Sequence, residues 1–194
     1  MYDLINYMKS NLKQIFYSRQ KLYLEDKNML VSAVLIPLFQ KDNDYHVLLT
    51  RRSNQVAHHK GQISFPGGKQ SKRDSSLLDT ALRECWEEIG LEPKDVEILG
   101  ELDDVITLTS GFIITPFVAI IPHPYEFTIN PFEIDEIIYI PFSSLLEKSN
   151  FKEEPLIIED KYTITDYYIY NGNIIWGATA RILKQLLDEL NSSN

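Results

Sequence analysis

Only one cysteine, Cys85, stands in the 194 residues. No intramolecular disulfide framework is available, so a reducing interior is the natural compartment. No apolar run approaches the about 18 residues that a membrane helix needs. The opening residues, Met1-Tyr2-Asp3-Leu4-Ile5, lack the charged leader and apolar stretch of a signal peptide. A cytoplasmic protein without a membrane partner is the expectation. Basic charge is also short: 19 Lys and Arg face 28 Asp and Glu, for a net charge of −9. That balance lacks the basic footprint of a nucleic-acid binder. It leaves a polyanionic small molecule open, because local cations and metal ions override a global field. Internal repeats, low-complexity segments and linkers are absent, and the length suits one domain. Nothing in the chain speaks to oligomeric state.

Apolar periodicity places the elements. Leu4, Ile5, Met8, Leu12, Ile15 and Phe16 recur at helical spacing over residues 3–20, with Asp3 as N-cap. Residues 1–28 are expected to form a helical extension packed on a main domain at 29–190, followed by a frayed tail at 191–194. An apolar β-rich run spans Val31 to Leu38 and ends at Pro37, and Asp42-Asn43-Asp44 turns it into a strand at 46–50. Residues 51–68 read as an ordered functional loop ending in Phe65-Pro66-Gly67-Gly68. The clearest helix is 75–89, with the stripe Leu78, Leu82, Cys85 and Ile89, a Ser75 or Ser76 cap, and Gly90 beyond its end. Strands are expected at 96–102, 114–121 and 136–140, and a short helix from Ser143. A hairpin over 155–175 turns near Asn171-Gly172, and a last helix covers 177–190. The fold class is α+β.

The helix at 75–89 carries the chemistry. Arg83-Glu84-Cys85-Trp86-Glu87-Glu88-Ile89-Gly90-Leu91 sets three carboxylates within five residues. Like charges so crowded need water or a cation. Residues four apart sit one turn above each other, so Glu84 and Glu88 share a face and Glu87 lies beside them. Hard oxygen donors of this kind suit Mg²⁺ or Mn²⁺. Arg83 can orient a carboxylate, and Gly67 and Gly68 permit close backbone approach. A bare run of Glu is more often a solvated helix face; these neighbours move the balance toward a metal site. Cys85 and Trp86 read as packing residues rather than nucleophile and stacking platform. Trp176 fits either the core or a site wall.

Segment 68–91 resembles the Nudix box, in which Gly, a spacer, Glu and a second spacer lead into Arg-Glu-aliphatic-x-Glu-Glu-x-Gly-aliphatic. Gly68, Arg83, Glu84, Glu87, Glu88, Gly90 and Leu91 match, with Cys85 at an aliphatic position. There are two departures. Arg83 lies one residue farther from Gly68 than the pattern asks, and Asp74 (or Ser75) replaces the spacer Glu. The upstream loop, LLTRRSNQVAHHKGQISFPGG over 48–68, resembles the coenzyme A pyrophosphatase branch of that family through Leu48, Leu49, Thr50, Arg52, Ser53, His59, Gly61, Phe65, Pro66, Gly67 and Gly68. Both departures are usual in this branch. Ala57 stands where the branch often has Arg. Thr109-x-Gly111-Phe112, Asn130-Pro131-x-Glu133 and Ile175-Trp176-Gly177-Ala178-Thr179-Ala180-Arg181 continue the likeness.

The resemblance implies a Nudix fold, a mixed β-sheet sandwiched between helices. It implies Mg²⁺- or Mn²⁺-dependent hydrolysis of coenzyme A or its derivatives to 3′,5′-ADP and 4′-phosphopantetheine. It assigns metal binding to Glu84 and Glu88, with Glu87 and the Gly68 carbonyl as further ligands. The general base is Glu133 first, Glu136 next and Glu84 third, with Arg83 holding the carboxylates. Arg51, Arg52, Ser53, His59, Lys60, Gly61, Phe65, Gly67 and Lys69 form the substrate-binding set; Arg suits bidentate phosphate contacts and Lys a point charge. For His58 and His59 a loop hydrogen-bonding role outweighs catalysis. Two other readings stay open: hydrolysis of another nucleoside diphosphate derivative (ADP-ribose, FAD or NADH), and a non-catalytic binding module of the same fold.

Overall fold

The computed structural model describes residues 12–16, 19–56, 59–158 and 161–192. The expected helix at 3–20 therefore falls mostly outside the described residues; 12–16 are helical (α1). After it come β1 (Leu30–Lys41), β2 (Asp44–Arg52), β3 (Ile63–Ser64), β4 (Gly67–Lys69) and α2 (Leu77–Ile89). Then follow β5 (Glu97–Glu101), β6 (Val105–Ile106), β7 (Phe112–Ile120), β8 (Ile134–Pro141) and α3 (Phe142–Leu146). The chain closes with β9 (Phe151–Ile158), β10 (Lys161–Tyr170), β11 (Asn173–Trp176) and α4 (Gly177–Ser192). No described helix is long and apolar enough to cross a membrane.

β1 is the spine of a mixed sheet in the order β3-β2-β1-β7-β5. It pairs antiparallel with β2 and β4 and parallel with β7. Successive side chains of a strand face opposite ways. On β1, Ala33, Leu35 and Phe39 meet Ala81, Cys85 and Ile89 of α2. Ile36 and Leu38 join Leu12 and Phe16 of α1 and Leu183, Leu186 and Leu187 of α4. The sheet is thus sandwiched between helices, as expected. Each buried aliphatic contributes about 1.5–3 kcal/mol relative to exposure.

Three local expectations are corrected. Pro37 lies within β1, opposite Ala119 of β7. Leu35 donates its N–H to Pro66 O on the other side, so Pro37, two residues on, turns its nitrogen to that side as well. There it falls between the end of the β4 pairing at Val34 and the start of the β2 pairing at Leu38, where no ladder donor is required. Second, residues 155–175 form parts of three strands rather than one hairpin. Asn171 and Gly172, both with positive φ, turn β10 into β11, while β9 takes the other edge of β10. Charges at Lys152, Glu153 and Glu154 and the proline at 155 hide β9 in the sequence, and those residues suit an edge strand. Third, α4 continues to Ser192, into the segment expected to fray.

Candidate active site

α2 begins where Ser76 Oγ accepts a hydrogen bond from the Asp79 N–H at 3.0 Å. It ends where Gly90, at φ 69°, donates its N–H to Trp86 O. The buried face runs through Thr80, Ala81, Cys85, Glu88 and Ile89; it keeps Cys85 and Ile89 of the expected stripe but is rotated away from Leu78 and Leu82. Trp86, 100° from Cys85, is 52% exposed and is not a packing residue. The rotation carries Glu88 into the interior, at 2% exposure, while Glu84 is half-buried and Glu87 faces solvent.

Arg83 organises this helix edge. Its Nε and Nη2 grip the two Asp74 carboxylate oxygens at 2.8 and 2.9 Å. Its Nη1 reaches Glu84 at 2.7 Å and Glu87 at 2.9 Å. Asp74 also accepts from the Ser71 N–H and the Thr80 hydroxyl. Asp74 is therefore the buried anchor of Arg83. Arg83, and after it these hydrogen bonds, holds the Asp74 carboxyl well below the usual carboxylate range. A bidentate pair with one partner buried is costly to open. Asp74→Asn is expected to lower stability at pH 7 by about 2 kcal/mol. A group with a depressed native pKa stabilises fully above its unfolded value, near 3.9, and loses that contribution as pH falls through the native one. Denaturant unfolding of wild type and variant should therefore differ most above about pH 5 and converge in acid.

Glu88 is less well compensated. Its Oε2 accepts from the Gly67 N–H at 3.2 Å, and Arg52 Nη1 stands 3.7 Å from Oε1. Burial, reinforced by Glu84 and Glu133 and opposed by Arg52, pushes its carboxyl up to about 8. Burial also raises the Glu84 carboxyl, Arg83 opposes that, and Glu87 and Glu133 add to it. The glycines make the approach possible. A Cβ on Gly68 would stand 2.6 Å from the Glu84 carboxylate. Cys85 is fully buried, and burial raises its thiol well above the ordinary value.

The structure brings Glu133, but not Glu136, to these carboxylates. Asn130 Nδ2 donates to Glu133 Oε1 at 3.1 Å, and the Glu133 carbonyl takes the Ser53 N–H. Glu136 is exposed and bound to Arg51 Nε at 2.8 Å. The β2–β8 register explains the split. Arg51 lies opposite Glu136, then the ladder shifts so that Arg52 meets Ile134. Arg52 shares its face with Leu48, which packs on the α2 side, while Arg51 turns the other way and donates to Asn173 Oδ1 at 2.6 Å.

A cavity of about 360 Å³ opens beside Gly67 and Gly68. Of the substrate-binding set, Arg52, His59, Phe65, Gly67 and Lys69 line it, as does Gly68. Arg51, Ser53, Lys60 and Gly61 do not: Ser53 is buried and accepts from Gln55 N–H, Gly61 donates to Arg52 O, and Lys60 is exposed. His59 bonds Gln62 through Nδ1, a loop role. Ala57 and His58 lie outside the described residues. Trp176 lines the cavity at 40% exposure. Thr165, Arg181 and the Thr107–Ser110 turn also contribute, and none was among the expected site residues. The motif at 175–181 was the available signal.

A family model described as NUDIX domain matches residues 29–160. The chain belongs to the Nudix family. Two relatives, each named "Uncharacterized Nudix hydrolase NudL", agree. The one from Photorhabdus laumondii is 34% identical over 159 residues, 82% of this chain and 84% of that protein. The one from Pectobacterium atrosepticum is 37% identical over 157 residues, 80% of each. A MutT/nudix family protein from Enterococcus faecalis superposes with a TM-score of 0.58 at 16% identity, covering 96% of this chain and 74% of that one. The NUDIX domain of Shewanella oneidensis NrtR, solved with ADP ribose, gives 0.50 at 22% identity, over 62% and 78%. These two likenesses show the fold.

Nudix hydrolases act on phosphoric anhydrides and generally need divalent cations. Among the described residues, no group of three His, Cys, Asp or Glu could hold a metal by itself. Mg²⁺ takes one or two carboxylates and completes its shell with water and substrate phosphate. Buried Glu88 with its single 3.2 Å hydrogen bond, and the Gly68 space filled by the Glu84 carboxylate, fit such an ion.

Proposed function

We propose that this Nudix hydrolase cleaves the diphosphate bridge of coenzyme A or its derivatives, releasing 3′,5′-ADP and a 4′-phosphopantetheine. One observation carries the reading. The loop that resembles the coenzyme A branch, from Leu48 to Gly68, runs from the sheet directly to the carboxylates of α2 and supplies Arg52 and Gly67 to Glu88. Glu84 and Glu88 would hold Mg²⁺ or Mn²⁺, with Glu87 and the Gly68 carbonyl as further donors. The bound cation would neutralise the bridging phosphates and activate water.

The chain's own residues do the rest. Arg83, anchored by Asp74, fixes the Glu84 carboxylate. Arg52 and Lys69, in the cavity wall, meet phosphate oxygens. Glu133 is the preferred general base: Asn130 orients one carboxylate oxygen, and the other is left to take the proton from water. Glu136, neutralised by Arg51, is a weaker candidate. The lone, buried Cys85 suits a reducing, cytoplasmic setting.

Incubation with coenzyme A and Mg²⁺ or Mn²⁺, with products identified by mass, tests the reading. The two named products are expected. Faster turnover of ADP-ribose, FAD or NADH in the same panel would replace coenzyme A as substrate. Absence of metal-dependent hydrolysis of every one of them would favour a binding module.

A further inference from the structure

The cavity beside Gly67 and Gly68 holds more unused polarity than the carboxylate helix requires. Among the described residues, those with a buried side-chain polar atom lacking a partner are His46, Arg52, Thr165 and Arg181, and the last three line this cavity. Among the described residues no Asp or Glu lines it, whereas Arg52, Lys69 and Arg181 do. The wall is therefore positive within an acidic protein, the arrangement that draws an anion.

The part of the wall built by β10, β11 and α4 has its own donors. Gly177, Ala178 and Thr179 open α4, whose first turn contains no acidic residue. The first N–H groups of a helix lack intrahelical acceptors and carry partial positive charge. Thr165, only 4% exposed, adds a hydroxyl with no partner. Trp176 and Leu108, 40% and 42% exposed, supply a flat apolar face beside these donors.

We propose that this wall is a second anion subsite, which takes a phosphate monoester carried on a nucleoside, separate from the diphosphate that is cleaved. Arg181, Thr165 and the α4 N-terminus receive the monoester, and Trp176 receives the base. The inference rests on the reading of the neighbouring carboxylates as a diphosphate-cleaving site. Arg181 Nη2 donates to the Ile106 carbonyl and Asp166 lies in its field, but its buried Nε and the Thr165 hydroxyl are left as donors that a neutral, amide-bearing arm would not use fully. A phosphate monoester brings nearly two negative charges and three strong acceptors.

The test is calorimetric titration of the metal-free protein with adenosine 3′,5′-bisphosphate and with AMP. The bisphosphate is expected to bind at least about tenfold tighter, equivalent to about 1.4 kcal/mol. Arg181→Gln should bring the two affinities within about threefold, and Trp176→Ala should weaken both ligands. Equal affinities in the wild type, or a tenfold preference that survives in folded Arg181→Gln, overturn the subsite. If Arg181→Gln does not melt cooperatively, Thr165→Val takes its place, with a fall in preference of about threefold expected and an unchanged preference overturning the subsite. Hydrolysis of coenzyme A is followed in parallel. Preference without hydrolysis keeps the subsite and removes the activity; hydrolysis with equal affinities keeps the activity and removes the subsite.

Discussion

Glu88→Gln is expected to cut turnover of coenzyme A by about a thousandfold while leaving the metal-free protein as stable as the wild type, or more so. The two effects have one cause. Glu88 is 2% exposed, and its carboxylate has one 3.2 Å hydrogen bond from Gly67 and a guanidinium at 3.7 Å. A buried carboxylate so sparsely compensated costs stability when ionised, which is why its pKa rises to about 8. Glutamine has the same shape and still accepts from the Gly67 N–H, but it cannot supply the negative charge that holds a divalent cation. Loss of an electrostatic contact to the reacting phosphates typically costs 10²–10³ in rate, or roughly 3–4 kcal/mol. Steady-state kinetics and thermal melting in EDTA read the two effects separately. Near-normal hydrolysis by folded Glu88→Gln, and likewise by Glu84→Gln, would sink the metal assignment.

Gly67→Ala and Gly68→Ala should fail in different ways, although the residues are adjacent. Gly67 sits at φ 149°, a conformation that L side chains rarely adopt, and a Cβ there would overlap the Ala33 carbonyl oxygen and stand 2.6 Å from Val34 Cα. Both obstacles are backbone of the central strand β1, which is locked by its pairing with β7 and cannot yield. A loss of about 3 kcal/mol or more is expected, from overpacking and strain together. Gly68 has no positive φ, and the three atoms nearest its Cβ would all belong to the Glu84 carboxylate. That side chain can rotate away, so Gly68→Ala should fold with a loss below about 1 kcal/mol. It would still lose activity, because a displacement of about 1 Å at a reacting centre can cost 10²-fold. Denaturant unfolding and kcat measured on both variants separate the outcomes. A Gly68→Ala enzyme with normal turnover would remove Glu84 from the metal set.

Much of α2 was legible beforehand because helices are local. Ser76, Gly90 and the spacing of Glu84, Glu87 and Glu88 are all written within about fifteen consecutive positions, and a period of 3.6 converts spacing into face. The hairpin turns at Asp42-Asn43 and Asn171-Gly172 were legible for the same reason, since both residues of each pair adopt positive φ. β9 was not, because charge and proline at an edge strand resemble a loop.

By itself, the sequence determined the carboxylate helix, its caps, the glycine pair before it and the family to which they belong. Tertiary structure decided what those residues face. A rotation of the buried face of α2 away from Leu78 and Leu82 buried Glu88 rather than leaving it at an edge. The shift in register after Arg51 sent Arg51 to Glu136 and Arg52 toward Glu88. Asp74, a shortened substitute in the motif, proved to be the bidentate anchor of Arg83. The cavity joined Gly67 to Trp176 and Arg181, more than a hundred residues away in the chain. Such pairings depend on sheet register and on which helix covers which face. Those follow from the packing of the whole core, whereas spacing along the chain specifies geometry only within a single turn, strand or helix.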